Sequence, residues 1–260
     1  MNMEHKFSQR VEDYVKYRPT YPREAIDYLY EHKIVADHST VADIGAGTGI
    51  FSKLLVERGT HVIAVEPDPV MRNASMKAIG DDQAFNTTAG SAETTGLEDQ
   101  SVDVITCAQS FHWFDRAAVK EEFRRILKPG GNVALIWNKR QVTGAPFMEE
   151  LEKLWFRFGI NYSKVNHKNI GDDDLQAFFA DNTMHKARFQ MQQTFDFEGL
   201  RGRVKSSSYT PMPEHENYES MMSELQSLFD RYEKGGKVPF LYETELFWGR
   251  VDRTEVEVKL

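Results

Sequence analysis

The chain has 260 residues, of which 40% are hydrophobic and 28% are charged, and its formal net charge is −8. This composition is typical of a folded globular protein with a substantial core, and it excludes a disordered chain. The acidic balance excludes a global basic surface for nucleic acid, and the apolar runs are too short to span a bilayer. The chain is therefore expected to have no nucleic-acid or membrane partner. With a single cysteine, Cys107, no intrachain disulfide can form, so a cytoplasmic location is expected.

Strand and helix patterns alternate through the first half of the chain. The predicted strands are 40–44, 61–65, 83–88, 102–108 and 133–137, and the predicted helices are 50–57, 69–79 and 115–127. Short apolar strands alternating with amphipathic helices are typical of a parallel sheet that is covered on both faces. The carboxyl ends of the strands then meet at one edge of the sheet, where a ligand crevice is expected.

The pattern changes after the fifth strand. The predicted helices there are 147–158, 174–179 and 218–232, and the predicted strands are 189–197 and 239–251. We therefore predict an α/β fold, a Rossmann-like doubly wound seven-stranded mainly parallel sheet with an N-terminal lid and a helical insertion after strand five. The chain is predicted to be one domain, with the lid and a helix at 1–38, a cofactor-binding core at 39–140, and a substrate-covering insertion with the last strands at 141–260.

A glycine-rich segment, DIGAGTG at residues 43–49, directly follows the first strand, and Glu66 ends the second. Glycine lets the backbone turn sharply and approach a ligand, while an acid at the end of the second strand can accept both hydroxyls of a ribose. A dinucleotide fingerprint beginning at Gly45 requires a glycine at position 50, where this sequence has Ile50. This spacing disfavours a nicotinamide-dependent oxidoreductase, and Asp43 before the loop suits a cationic ligand better than a pyrophosphate.

Residues 43–49 together with Glu66 resemble the first two motifs of class I S-adenosylmethionine-dependent methyltransferases. Residues 90–93 resemble the adenine-contacting segment of that family, and residues 123–131 resemble the turn before its fifth strand. Two further segments, YVKYRPTYP at 14–22 and SFHWF at 110–114, resemble the small-molecule branch, methyltransferase type 11, of the trans-aconitate and ubiquinone-biosynthesis type. The resemblance covers residues 7–140 and is thin beyond them.

The resemblance implies a site for S-adenosylmethionine. Its methionine part would lie along the glycine loop, its ribose on Glu66 and its adenine on Met71, while the main-chain carbonyl of Gln109 would meet the methionine amino group. Met71 is equally interpreted as a core methionine, and Glu93 as a solvated loop acid. The predicted cofactor residues are Asp43, Gly45, Ala46, Gly47, Glu66, Pro67, Met71, Ser91, Ala92, Glu93 and Gln109.

Further residues are predicted to serve the methyl acceptor. His112 is the candidate acid or base, because imidazole titrates near neutral pH; it is equally interpreted, with Trp113, as a helix cap and pocket wall. Besides Trp113, the predicted acceptor contacts come from the lid and from a later arginine cluster at residues 201–209. They are Tyr14, Tyr17, Arg18 and Tyr21 in the lid, and Arg201 and Tyr209 in the cluster. The lid is alternatively a packed helix, and the later arginines are alternatively a solvated surface.

These residues predict an enzyme that moves a methyl group from S-adenosylmethionine to an O, N or C nucleophile of a small-molecule acceptor. A metal is not expected, because no His, Asp and Cys grouping has ligand spacing. The loop after strand four lacks the prolines of base-amino methyltransferases and the paired glutamates of protein arginine methyltransferases. A monomer or homodimer is expected, and a non-catalytic S-adenosylmethionine-binding module is the alternative.

Overall fold

The structure is a computed structural model that describes residues 16–162, 170–180 and 183–252. The described helices are α1 (Arg23–Glu31), α2 (Ile50–Val56), α3 (Pro69–Ile79), α4 (Arg116–Ile126), α5 (Pro146–Phe158), α6 (Asp172–Phe178), α7 (Phe197–Lys205) and α8 (Tyr218–Tyr232). The strands are β1 (Thr40–Ile44), β2 (His61–Val65), β3 (Phe85–Thr88), β4 (Val102–Ala108), β5 (Leu127–Arg140), β6 (His185–Phe195) and β7 (Val238–Gly249). Tyr14 of the predicted lid lies outside the described residues.

The seven strands form one sheet in the order β3-β2-β1-β4-β5-β7-β6. The pairs β3–β2, β2–β1, β1–β4 and β4–β5 are parallel, which confirms the predicted doubly wound, mainly parallel sheet. Ile44 at the end of β1 lies opposite Val65 at the end of β2, so the segments that follow both strands leave the sheet at the same edge. The glycine loop and Glu66 are therefore brought together by the register of the sheet.

Several elements differ from the sequence prediction at their ends, and the differences at β5 and after β6 change the fold locally. Strand β5 begins at Leu127 rather than at residue 133, because Leu127 directly follows α4 and already pairs with Val102. The pairing resumes at Asn132 opposite Val104, across an irregularity that contains the Pro-Gly-Gly segment. Strand β6 ends at Phe195, and α7 follows it where the prediction continued the strand to residue 197. The carboxylate of Asp196 accepts a hydrogen bond from the Gly199 N–H at 2.8 Å, which caps the new helix.

The chain divides into two compact units. Unit 1 comprises Met1–Thr20, Asn138–His167 and Gln190–Thr244, and unit 2 comprises Tyr21–Trp137, Lys168–Phe189 and Glu245–Leu260. Unit 1 has a hydrophobic core of its own, in which Trp155 and Tyr242 are among the largest fully buried side chains. The prediction of a single domain from 1 to 260 stays a prediction.

Unit 2 has two hydrophobic cores. Neighbouring residues of β1 belong to different ones, Val41 to the core that contains α1 and α2, and Ala42 to the core that contains α4 and α6. Successive side chains of a strand point to opposite faces, so this alternation is that of a sheet covered on both sides. Among the helices that the structure describes, none combines the length and the apolar character needed to cross a membrane.

Candidate active site

The loop between β1 and α2 contains three glycines with left-handed backbone angles. Their φ values are +68° at Gly45, +58° at Gly47 and +76° at Gly49. A Cβ on Gly45 would lie 2.6 Å from the Cβ of Ser110, and one on Gly49 would lie 2.8 Å from the Cβ of Ser75. A Cβ on Gly47 would meet no atom within 4 Å. Packing therefore requires glycine at the outer two positions, whereas the middle glycine borders open space that a ligand can fill.

Glu66 lies directly beside this loop. Its Oε2 accepts a hydrogen bond from the Gly47 N–H at 2.8 Å, and its Oε1 accepts one from the Asp68 N–H at 3.0 Å. Burial raises the pKa of this carboxyl group, and the two backbone hydrogen bonds oppose that rise. A carboxylate oxygen has two lone pairs, so each one retains an acceptor site for a hydroxyl. The carboxylate thus couples the end of β2 to the glycine at the open side of the loop.

Asp43 lies beneath the loop and is fully buried. Its Oδ2 accepts a hydrogen bond from Ser52 Oγ at 2.6 Å, and its Oδ1 accepts one from Thr106 Oγ1 at 3.0 Å. Burial raises the pKa of Asp43 to about 6, the two hydroxyl donors oppose this rise, and the charge of Glu66 adds to it. The enclosed carboxylate anchors the loop to α2 and β4, and the predicted cofactor contact of Asp43 stays a prediction.

The raised pKa of Asp43 predicts that Asp43→Asn changes how stability depends on pH. The folded state holds the Asp43 proton up to a pH of about 6, whereas the pKa of an ordinary aspartate is 3.8. The free energy of unfolding of the parent therefore falls as the pH rises through this window, by up to about 3 kcal/mol from this group. Asn does not ionise, so the variant should gain about this much relative to the parent between pH 4 and pH 6. Urea unfolding at intervals across this pH range measures the difference in the free energy of unfolding between variant and parent. A difference that does not vary with pH would contradict the raised pKa of the buried Asp43 carboxyl.

The predicted adenine side comes from the start of α3 and the loop after β3. Met71 is 5% exposed and lies in the first turn of α3, which Asp68 caps by accepting from the Met71 N–H at 3.2 Å. Ala92 is buried, and Glu93 Oε1 accepts from the Asp115 N–H at 3.1 Å, at the residue that caps α4. Glu93 is thus tied to the start of α4 rather than only solvated. Among the remaining predicted contacts, Pro67 is exposed, and Ala46 and Ser91 are half-buried.

Gln109, directly after β4, has a backbone conformation that the sequence does not reveal. Its φ is +64°, and its N–H donates to the carbonyl of Ile136 at 2.9 Å. A non-glycine residue in the left-handed region is uncommon and strained, and such residues concentrate at functional sites. The conformation sets the direction of the Gln109 carbonyl, the group predicted to meet the methionine amino end of the cofactor.

His112 lies in a short 3-10 turn, Phe111–Trp113, that follows Gln109. Its Nδ1 is 3.3 Å from the indole Nε1 of Trp137, within hydrogen-bond distance. An indole N–H only donates, so Nδ1 is the acceptor and the neutral imidazole carries its proton on Nε2. Trp113 is 39% exposed, and its ring centroid is 4.6 Å from that of His112. The sequence interpretation did not identify Trp137 as the residue that sets this tautomer.

The predicted lid residues divide between the two units. In unit 1, Tyr17 packs so closely on α7 that a Cβ on Gly202 would lie 2.1 Å from its ring, and Arg18 Nη2 donates to the Ser206 carbonyl at 2.9 Å. In unit 2, Tyr21 is 7% exposed, and its ring meets the edge of Phe51 at 5.1 Å between centroids. Tyr21 therefore has the surroundings of a core residue, and its predicted acceptor contact stays a prediction.

The later arginine cluster separates into exposed and buried members. Arg201 is exposed and pairs with Glu198 at 2.6 Å, as a surface residue does. Arg203 is 3% exposed and is the member that enters the protein. Tyr209 is half-buried and accepts a hydrogen bond from Nη1 of Arg140. The acceptor contacts predicted for Arg201 and Tyr209 stay predictions, and the buried guanidinium of this cluster belongs to Arg203.

Arg140, at the end of β5, forms a cluster that the sequence analysis missed. Its Nη2 donates to Glu152 Oε2 at 2.7 Å, and the guanidinium lies 3.9 Å from the ring centroid of Trp155. Tyr162 and Tyr209 accept further hydrogen bonds from it, and the Tyr162 hydroxyl also donates to Glu152 at 2.6 Å. The buried ion pair and its aromatic cage give unit 1 a rigid polar centre.

Comparison with known proteins bears on the segment that carries this geometry. A family described as "Methyltransferase domain" matches residues 42–135, which contain the glycine loop, Glu66 and His112. An uncharacterised methyltransferase-like protein of Schizosaccharomyces pombe, C25B8.10, is 28% identical over 93% of each chain. The uncharacterised methyltransferase Rv3342 of Mycobacterium tuberculosis is 42% identical over 139 residues, which span 54% of each chain.

Solved structures share the fold. A candidate type II methyltransferase from Anaeromyxobacter dehalogenans matches with a TM-score of 0.62 at 20% identity, over 90% of this chain and 98% of its own. The YcgJ protein of Bacillus subtilis matches with a TM-score of 0.57 at 19% identity, over 89% of this chain and all of its own. At this identity the structural likeness bears on the fold alone.

Proposed function

We propose that this chain is a class I S-adenosylmethionine-dependent methyltransferase that methylates a small-molecule acceptor; the match of the methyltransferase family over residues 42–135 and the methyltransferase-like relatives support the proposal. The observation that carries the proposal is the pairing of Gly47, which borders open space, with the Glu66 carboxylate, which accepts its N–H at 2.8 Å. When bound, S-adenosylmethionine supplies a sulfonium-activated methyl group that an O, N or C nucleophile of the acceptor displaces. The work of the protein is to hold both molecules in line and away from water.

The residues at the edge of the sheet fit this cofactor. Gly47, at the open side of the loop, offers backbone without a side chain to the methionine part, and Glu66 offers charged acceptors to the ribose hydroxyls. Met71, Ala92 and Glu93 would border the adenine. The strained backbone of Gln109 would direct its carbonyl at the amino group of the methionine part.

Glu66→Ala tests the ribose assignment. Hydrogen bonds to a charged group contribute about 1.5–3 kcal/mol, so the affinity for S-adenosylhomocysteine should fall by about one to two decades. Isothermal titration calorimetry measures this, with Glu57→Ala, an exposed acid at the end of α2, as the matched control. If Glu66→Ala binds as tightly as the parent while its melt stays cooperative, the carboxylate does not hold the ribose.

We assign His112 the role of a hydrogen-bond donor, through Nε2, to the acceptor rather than that of a general base. The indole N–H of Trp137 donates to Nδ1. If the imidazole proton moved from Nε2 to Nδ1, that N–H would face the indole N–H, and the hydrogen bond would be lost. Transfer of a methyl group to an amine or to an ionised oxygen needs alignment more than proton removal. The histidine would then orient the nucleophile.

His112→Gln and His112→Ala separate the two roles. Gln keeps an N–H donor but cannot take up a proton, so it should retain most of the turnover, whereas Ala should lower kcat/KM by about ten- to a hundredfold. The pH profile of turnover with a methyl acceptor is the measurement. If Gln lowers turnover as much as Ala, and both remove the acidic limb of the profile, His112 acts as a base.

The rival proposal is a non-catalytic S-adenosylmethionine-binding module. It would need Gly47 and Glu66 but no donor at His112, so methyl transfer to any acceptor, with release of S-adenosylhomocysteine, separates the two. We further propose a cytoplasmic monomer or homodimer that acts without a metal and without a nucleic-acid partner. Turnover in the presence of a chelator and the elution volume on size exclusion test these points.

A further inference from the structure

Unit 1 contains a buried guanidinium whose described partners are all neutral. The side chain of Arg203, on α7, is 3% exposed. Its Nε donates to the Tyr242 hydroxyl at 2.7 Å, and its Nη1 donates to Ser206 Oγ at 3.4 Å and to Ser207 Oγ at 3.2 Å. Within the described part of the chain, no carboxylate pairs with this group and none of these bonds uses Nη2. The guanidinium of Arg203 is thus contacted by hydroxyls and by the rings of Phe240 and Tyr242, whose centroids lie 5.0 Å and 5.7 Å from it, and by no described acid.

The second buried arginine of unit 1 is treated differently. Arg140 is neutralised by Glu152, whose Oε2 lies 2.7 Å from Nη2. Taking a charge out of water is unfavourable unless an opposite charge is supplied, so a buried guanidinium without an acid calls for one from outside the protein. The same unit therefore contains one arginine that is neutralised by an acid and one whose described partners are neutral hydroxyls and aromatic rings.

Further positive charge surrounds Arg203. Arg18 Nη2 donates to the main-chain carbonyl of Ser206, the residue whose hydroxyl also accepts from Arg203. Burial raises the pKa of the Tyr209 hydroxyl, but three nearby arginines outweigh burial and hold that pKa below its usual value. These arginines are Arg140, Arg203 and Arg18. The three arginines thus bring positive charge close to the Tyr209 hydroxyl.

We infer that Arg203, assisted by Arg18, binds an anionic group of the methyl acceptor, either a carboxylate or a phosphate. The inference rests on the proposed function and narrows its substrate to acidic small molecules. A guanidinium presents a planar fork of donors, which matches carboxylate and phosphate oxygens. Ser206, Ser207 and Tyr242 hold this fork in a fixed orientation, so little side-chain entropy is lost when the anion binds.

Inorganic phosphate serves as the first probe, in the full-length protein without cofactor. Phosphate should raise the melting temperature of the parent above that in sodium chloride of equal ionic strength. Arg203→Met should lose this increment, and the control Arg157→Met, an exposed arginine of the same unit outside the predicted site, should keep it. The absence of a phosphate-specific increment in the parent, or its persistence in a folded Arg203→Met variant, would overturn the inference.

A second measurement needs no variant and covers the case in which Arg203→Met fails to fold. Crystals of the parent soaked in selenate should show an anomalous peak within hydrogen-bond distance of Arg203 Nη2. A selenate ion found only on surface lysines and arginines, with none at Arg203, would mean that the guanidinium is structural and would overturn the inference.

Turnover identifies the source of the anion. In a screen of paired acceptors, each an acid and its primary amide, the acids should be preferred, and Arg203→Met should raise their KM by about ten- to a hundredfold. The affinity for S-adenosylhomocysteine should stay unchanged. If that affinity falls along with acid turnover, the group bound is the cofactor's own carboxylate and the inference fails. Phosphate bound at Arg203 in a protein that binds no S-adenosylhomocysteine would instead contradict the proposed function alone.

Discussion

Gly47→Val should weaken S-adenosylhomocysteine binding by about a hundredfold or more and leave a folded protein. A Cβ at this position meets no protein atom within 4 Å, so the two valine methyls enter the space assigned to the methionine part of the cofactor. The backbone there has a φ of +58°, which a β-branched residue adopts only with strain. Calorimetric titration measures the affinity, and the thermal melt reports the strain.

Gly59→Val is the matched control for that variant. Gly59, in the turn before β2, has a φ of +79°, and a Cβ there also meets no atom within 4 Å. Both substitutions therefore carry a similar backbone strain, but only the one at Gly47 lies in the predicted cofactor site. Equal losses of affinity in the two variants would mean that binding responds to stability, and the loop assignment would then be wrong.

Glu152→Ala should lower the free energy of unfolding by about 3–5 kcal/mol. The substitution leaves the Arg140 guanidinium buried among aromatic rings, with neutral tyrosine hydroxyls as its remaining hydrogen-bond partners. An uncompensated buried charge is far more unfavourable than the loss of a surface ion pair. Urea unfolding followed by far-UV circular dichroism and by tryptophan fluorescence measures the change, and Trp155 lies 3.9 Å from the guanidinium.

Glu150→Ala, two residues earlier on the same helix, provides the comparison. Glu150 pairs with Lys153 at 2.7 Å, and the lysine side chain is 71% exposed, so its loss should change stability by less than about 0.5 kcal/mol. Similar small effects of both substitutions would show that water reaches Arg140 when Glu152 is removed. The cluster would then not be a dry polar centre.

The parallel half of the sheet could be predicted closely from the sequence because local sequence signals mark where its elements begin and end. β2, β4 and α3 have the bounds that the pattern predicts, since apolar runs and a proline at the start of α3 mark their ends. α7 was missed because the strand pattern of β6 runs into it at Phe195. The Asp196 cap that separates them is a single side-chain hydrogen bond, which periodicity does not detect.

The cofactor loop could be predicted because its chemistry is encoded in consecutive residues, with Glu66 fixed by the next strand. The hydrogen-bond partners of individual polar and charged side chains could not be predicted. Asp43 has both oxygens occupied, by Ser52 and by Thr106, which is 63 positions away in the chain. Trp137, 25 positions after His112 in the chain, donates the hydrogen bond that sets the tautomer of His112. Such pairings depend on the folded register, which local sequence does not contain.

The most direct test of the cofactor assignment is a crystal structure of the protein with S-adenosylhomocysteine. The assignment predicts ribose hydroxyls within hydrogen-bond distance of the Glu66 carboxylate, and the methionine part across Gly47, where the present structure leaves the space open. Electron density for the ligand at another place, or none at saturating concentration in a well-ordered crystal, would contradict it.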